Sequence, residues 1–406
     1  MIILRRESLL TITLCGLLVA ATQGGAATAQ GSAATAQVVA ATTAGGERVA
    51  DTWRLEDLYA SLGDWEKAKA SIRSDIGTIS ECKGRLGESA KRLAACMERM
   101  AATRKQLSRF YTYAGMGSDQ DTRVQKALGR RQAAGLLFTK YSEAASFLDP
   151  ELLAIGEKRL TGFLKAEPRL NDYRFYIENT LRQAKHKLSE EGESVIAATG
   201  NITRAPSEIY STLANAEIDW PTITLSDGTE ARLDQAGYVK HRQAANRDDR
   251  KKVFDAYWGA WKKYERTVGT MLNAAVNAHH FRVGVRSYGN SLLSAIDHAN
   301  IPEAVYRTLI AETNGNLDIL HRYFRLRARM LGIDDLRYYD VYPPLIELDR
   351  KFSLDEGKAI TLAAFAPMGE EYVDVVRRGF NARWMDAYPR PGKRSGAYMS
   401  GSAYDV

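Results

Sequence analysis

Cysteine, histidine pairs and long apolar runs are all scarce in this chain, and each scarcity narrows what it can do. Three cysteines occur in 406 residues, and no CxxC pair is among them, so the usual thiolate zinc site is missing. The six histidines are His186, His241, His279, His280, His298 and His321. No two of them lie one helical turn apart around a carboxylate, which is the simplest arrangement for zinc hydrolysis. His279 and His280 are adjacent and would point about 100° apart on a helix, which suits packing or solvent better than a shared ion. Other signatures are lacking too. Ser287 has Val285 where a GxSxG elbow needs glycine. Gly392-Lys393 is followed by Arg394 and has no upstream glycine at phosphate-loop spacing. Gly115-Met116-Gly117 lacks a third glycine and is expected between helices rather than after a strand, so there is no dinucleotide fingerprint. Charge of one sign is not concentrated either. Lysine and arginine number 56 against 49 acids, a net +7, and acids interleave with bases, as between Arg247 and Lys252. A basic face for nucleic acid is therefore excluded.

What is present is ordinary globular composition, 45% hydrophobic and 26% charged, behind a targeting element. Arg5 and Arg6 precede the short apolar run Leu9–Ala21, and Ala27-Thr28-Ala29 is a small-residue cleavage signature before Gln30. Residues 1–29 read as a signal peptide. The run is too short to span a bilayer comfortably, so no stable membrane span is expected after cleavage. Leu14 before Cys15 argues against lipid attachment. Export to the periplasm or beyond follows. Residues 30–50, rich in Ala, Thr, Gly, Ser and Gln, read as a flexible linker. In an oxidising compartment Cys82 and Cys96 can pair across a turn at Gly84 and Gly87, or remain two helix-packing thiols; the sequence leaves both open.

From Trp53 onward helical periodicity dominates, over 64–82, 89–112, 121–147, 248–283, 302–331 and 353–378. In the helix opening at Pro302, the stripe Leu309, Thr313, Leu317, Leu320 and Phe324 should be buried, and Gly332 is the expected C-terminal cap. Thr222–Leu225 and Thr229–Leu233 read as a hairpin turning at Asp227-Gly228. Arg337–Tyr342 and Lys393–Tyr398 read as extended segments. The fold class expected is mainly α, with small β excursions.

Several segments, in order, resemble the oligoendopeptidase F family of thimet-oligopeptidase-type zinc metallopeptidases. They begin with Trp53-Arg-Leu-Glu-Asp-Leu-Tyr59, Ser146–Glu151 and Arg182–Glu191. The more specific ones follow: Asn316-Leu317 with His321–Arg327, Tyr339–Leu345, Ala366–Tyr372, Asn381–Asp386 and Gly392–Tyr398. The resemblance implies an N-terminal helical domain over 51–195, followed by the first, helical part of a peptidase domain over 196–406. It implies a channel for short oligopeptides. It also implies, in the intact family member, a zinc ion held by two histidines and a distant glutamate, with the glutamate of HExxH activating water. None of those groups is in this sequence, so the chain is expected to be the family's N-terminal portion, to hold no zinc and to be inert alone. Loss of the catalytic half is expected to leave apolar stripes exposed after Asp248. Ser395, Gly396, Ala397 and Tyr398 are the candidate substrate-binding residues. They would offer backbone groups to an extended peptide, with Gly396 allowing close approach; the alternative for them is a merely structural strand. The competing reading of the whole chain is a non-catalytic helical peptide-binding or scaffold protein.

Overall fold

The structure, a computed structural model, describes residues 51–346 and 350–401. The expected signal peptide, Cys15 and the linker up to residue 50 lie outside them. The described residues are mainly α, with two short strands, as the periodicity implies.

The first half of the chain builds one helical core. Helix α1 (Leu62–Ile79) starts where Ser61 Oγ accepts the Asp64 N–H at 3.1 Å, and α2 (Ala90–Gln120) where Ser89 does the same for Arg92. Such caps satisfy amide groups that the first turn leaves unpaired. Trp65, Ile72, Ile76 and Ile79 recur at helical spacing and bury against Leu93, Met97, Leu107 and Phe110 of α2, each burial contributing roughly 1.5–3 kcal/mol. Trp65 stacks on Phe110 at 4.3 Å between ring centres and donates its Nε1–H to the Phe110 carbonyl. Helices α3 (Gln125–Ala144), α4 (Leu148–Ile155), α5 (Glu157–Ala166) and α6 (Arg174–Arg182) close this core. Gly115 and Gly117 fall inside α2, not between helices as expected, because the buried apolar stripe continues through Phe110 and Ala114.

Cys82 and Cys96 are bonded, with their Cα atoms 5.8 Å apart. Gly84, at φ 73°, turns the chain between them, and Glu151 holds the turn by accepting the Gly84 and Leu86 amides at 2.8 and 2.6 Å. A loop closed across 14 residues removes about 3 kcal/mol of unfolded-state entropy. Replacing both cysteines with alanine is therefore expected to lower unfolding free energy by about that amount in urea titrations. Equal midpoints with and without the pair would rule out a stabilising bond.

After α7 (Glu190–Ala198) and α8 (Gly200–Thr212), one π-type turn, Leu213–Glu217, leads into the hairpin. Strands β1 (Thr222–Thr224) and β2 (Glu230–Arg232) pair antiparallel, Ile223 opposite Ala231, around Gly228 at φ 82°. The expected hairpin is thus present. Its inner face, with α9 (Gln235–His241) and α10 (Arg247–Lys262), makes a second core in which Trp220, Tyr257 and Tyr238 stack. Gly237 sits against the Arg232 carbonyl with no space for a Cβ, which locks the start of α9 onto β2.

Three long helices expected from periodicity are each two. Lys263-Tyr264 separates α10 from α11 (Glu265–Val285), and Asn316 separates α13 (Glu303–Gly315) from α14 (Leu317–Leu331). Pro367, which has no amide to donate, lies in the 3₁₀ turn that parts α15 (Leu354–Ala364) from α16 (Glu370–Asn381); the short α12 (Ser291–Ile296) precedes α13. Because α13 and α14 are separate helices, the predicted stripe does not continue inward: Leu309 is 65% and Leu320 44% exposed. Gly332 does cap α14, in the left-handed conformation. Arg337–Tyr342 is not a strand. It forms a 3₁₀ turn over Tyr338–Asp340, because Asp340 is drawn inward by arginines. Its carboxylate accepts Arg247 Nη2 and Arg250 Nη2, both at 2.9 Å, and the Arg337 amide at 3.0 Å.

Burial is uneven along the sequence. Among the described residues after Ala260, Met271 is the one buried hydrophobic side chain.

Candidate functional site

A cleft of about 570 Å³ is assembled from parts distant in sequence. One wall is the segment from Trp384 to Tyr398; the other comes from Asp119 at the end of α2, Asn215 in the π-type turn, Trp220, and Arg232 of β2. The later segment is pinned at its start by the first described residues. Arg383, at φ 62°, donates from Nε and Nη2 to Thr52 and Trp53, and its carbonyl accepts the Arg54 amide at 3.1 Å. Ala387 N–H donates to the Asp51 carbonyl at 2.9 Å.

Two buried carboxylates hold the wall in shape. The Asp386 side chain is fully buried and accepts Arg390 through both oxygens at 2.8 Å and Lys393 Nζ at 2.8 Å. Burial alone pushes this carboxyl up, but hydrogen bonds from Arg390 and Lys393 outweigh it and hold it below the usual range. Lys393 has its other two donors on the Asp386 and Tyr388 carbonyls. Asp119, 4% exposed, accepts Arg131 at 2.9 Å, Arg394 at 3.1 Å and the Tyr398 hydroxyl at 2.7 Å, while its carbonyl accepts the Arg394 amide at 2.9 Å. Burial, reinforced by the Asp119 charge, pushes the Tyr398 hydroxyl well above its ordinary pKa; it stays a neutral donor.

The four residues singled out from the sequence all line this cleft. They are irregular rather than paired in a strand, since their anchors are side chains of other elements. The Ser395 amide is already used, donating to Asn215 Oδ1 at 3.0 Å, with Asn215 oriented by its Nδ2 donating to the Ser211 carbonyl at 2.7 Å. The Gly396, Ala397 and Tyr398 amides have no partner among the described residues. Gly396 is at φ 90°, and open space surrounds its Cα. Trp384 Nε1, also in the cleft lining, is buried without a hydrogen-bond partner.

Sequence reasoning missed Asp119, Asn215, Trp220, Arg232 and Asp386. Asp119 carried a readable signal, because Ser118-Asp119 interrupts an otherwise apolar helical stripe with polar residues. The residues present do not fit zinc. Among the described residues, no three His, Cys, Asp or Glu side chains converge as a metal-binding group. His186 is buried and stacked on Tyr288, and His279 and His280 lie exposed on α11.

Comparison with known proteins gives a consistent picture. Residues 151–220 match the family model described as Oligopeptidase F, and residues 240–405 match Peptidase family M3. The chain is 35% identical over 356 residues to Oligopeptidase PepF of Bacillus subtilis, covering 87% of this chain and 53% of that protein. It is 34% identical to Group B oligopeptidase PepB of Streptococcus agalactiae, covering 87% and 59%. The crystal structure of oligoendopeptidase-F from Enterococcus faecium superposes with a TM-score of 0.68 at 30% identity, covering 78% of this chain and 61% of that one. The chain thus spans a little over half the length of the curated relatives it matches.

Proposed function

This chain belongs to the oligoendopeptidase F-like group of peptidase family M3, and on that premise we propose that it supplies the peptide-binding wall of an exported, zinc-dependent oligoendopeptidase acting on short peptides. One observation carries the reading: three consecutive amides, Gly396 to Tyr398, without a partner among the described residues, line this cleft. Backbone donors left free at a cleft wall are what the carbonyls of an extended peptide satisfy, independently of its side chains. Trp384 Nε1 is one more unmet donor there. Asp119, Asp386 and their cations position the wall without entering the chemistry.

Zinc, where the family holds it, supplies a Lewis acid and an activated water. The chain by itself is expected to bind peptide without cleaving it. The Cys82–Cys96 bond supports export, since such bonds persist in oxidising compartments. The division into a helical domain over 51–195 and a peptidase portion over 196–406 belongs to the same reading.

Gly396→Pro tests it. Proline holds φ near −65° and removes the amide, whereas Gly396 is at φ 90°. The affinity for a short unstructured peptide, measured by calorimetry, should fall at least about tenfold, roughly 1.4 kcal/mol, with the melting temperature unchanged. Unaltered peptide affinity would remove the segment from the binding wall. Chelator-sensitive peptide cleavage by the chain alone would overturn its division of labour.

A further inference from the structure

We propose that Arg232, on the cleft wall opposite Gly396 to Tyr398, selects peptides that bring a carboxylate into the cleft, so that acidic short peptides are the class bound best. The inference rests on the peptide-binding reading above and adds a preference that backbone contacts cannot supply. Amides bonded to an extended chain recognise its carbonyls whatever the side chains are. A choice between peptides therefore has to come from the facing wall.

Strand alternation places the guanidinium there. Ala231 and Leu233 are fully buried in the second core, and successive residues of a strand point to opposite faces. Arg232 thus turns away from that core and stands exposed in the cleft lining. Its backbone is fixed. Arg232 pairs with Thr222 across the hairpin, the Leu233 amide donates to the Pro221 carbonyl at 2.8 Å, and Gly237 sits against the Arg232 carbonyl. A side chain rooted on a strand held in this way is placed more precisely than one on a loop.

The other cations of the lining are already matched. Arg390 and Lys393 share Asp386, while Arg394 shares Asp119 with Arg131. Asp234, the remaining carboxylate of the lining, accepts the Gly237 amide at 2.9 Å as the cap of α9. Arg232 has neither an ion pair nor a side-chain hydrogen bond among the described residues. Since each buried carboxylate already meets two cations, Arg232 adds to a local excess of positive charge. Trp53, Trp220 and Trp384 form apolar sides of the same cleft, and walls of low polarity focus such a field on whatever enters. The guanidinium fork matches the two oxygens of a carboxylate. A peptide carries that group on aspartate and glutamate side chains and at its free C-terminus.

Calorimetry of the full chain with matched short peptides is the test. One peptide carries a single glutamate and an amidated C-terminus; a second has glutamine in its place and is also amidated; a third has the glutamine and a free C-terminus. The readout is the ratio of their affinities, which a general loss of binding in a variant leaves unmoved. The parent should favour a carboxylate peptide over the amidated glutamine peptide by about fivefold, near the upper end for an ion pair that water still reaches. Which of the two is favoured names the source of the carboxylate. The preference should disappear in Arg232→Gln and turn against the carboxylate in Arg232→Glu. It should also shrink with added salt in the parent, a measurement that needs no variant. Equal affinities for all three peptides in the parent, or a preference that survives Arg232→Gln, would overturn the inference. The two readings fail separately. Peptides bound without preference leave the binding wall standing and remove the role of Arg232, whereas a parent that binds none of them defeats the wall itself and the selection with it.

Discussion

Asp340→Ala is expected to lower unfolding free energy by about 3–5 kcal/mol, the usual effect of breaking a buried, hydrogen-bonded ion pair. The carboxylate is fully buried and gathers Arg247, Arg250 and the Arg337 amide. Removing it leaves Arg250, 2% exposed, with an uncompensated charge held only by the Ala244 and Ala245 carbonyls. Because these arginines belong to α10 while Asp340 follows α14, the loss also loosens the attachment of the later helices to the second core. The same group sets a pH dependence. Burial works to raise the Asp340 pKa, yet the hydrogen bonds from Arg247, Arg337 and Arg250 prevail and hold it below the usual carboxylate range. A carboxyl depressed on folding contributes stability above its unfolded pKa and loses it as pH falls through the folded one. Urea midpoints of the parent should therefore decline below about pH 4, and those of the variant should decline less. Parallel pH profiles, or a loss under 1 kcal/mol, would show that the arginines are held by something else.

Asp119→Ala should weaken peptide binding strongly while leaving a folded chain. Charge-assisted hydrogen bonds contribute roughly 1.5–3 kcal/mol each, and Asp119 accepts from Arg131, Arg394 and Tyr398. Without it, Arg394 and Tyr398 lose the anchor that orients the backbone between them, and peptide affinity should fall about a hundredfold. Tyr398→Phe, which removes one of the three bonds, should give a loss of about tenfold or less. Calorimetric titration of the same peptide into all three proteins decides the matter. Equal losses for the two variants would mean that the hydroxyl, not the carboxylate, organises the wall.

The legible parts of this fold are those where local chemistry and periodicity agree. Asp227-Gly228 between two β-rich runs announces the hairpin, and Gly332 after a periodic stretch announces the end of α14. The helix breaks were harder. Gly315-Asn316 was a visible interruption, but apolar residues on both sides kept the period and masked it. At Lys263-Tyr264 no glycine or proline marks the change. The 3₁₀ turn at Asp340 was invisible for another reason: its partners sit 90 and 93 residues away, and no local pattern encodes a long-range ion pair. The cleft divides the same way. Ser395 to Tyr398 came from resemblance, whereas Asp119 and Asn215 take their roles only when α2 and the π-type turn meet the later segment.

The clasp of Arg383 on Thr52 and Trp53 joins residues separated by 331 and 330 positions. Chain closures over such distances are slow, and during synthesis the N-terminal portion emerges first. The helical core around Trp65 can therefore consolidate while the nascent chain is still growing, but the clasp on Thr52 and Trp53 must wait for Arg383 to leave the ribosome. Order of manufacture thus makes the cleft wall mature after the front core, and a chain stalled before Arg383 would be well folded at its front and lack the wall altogether.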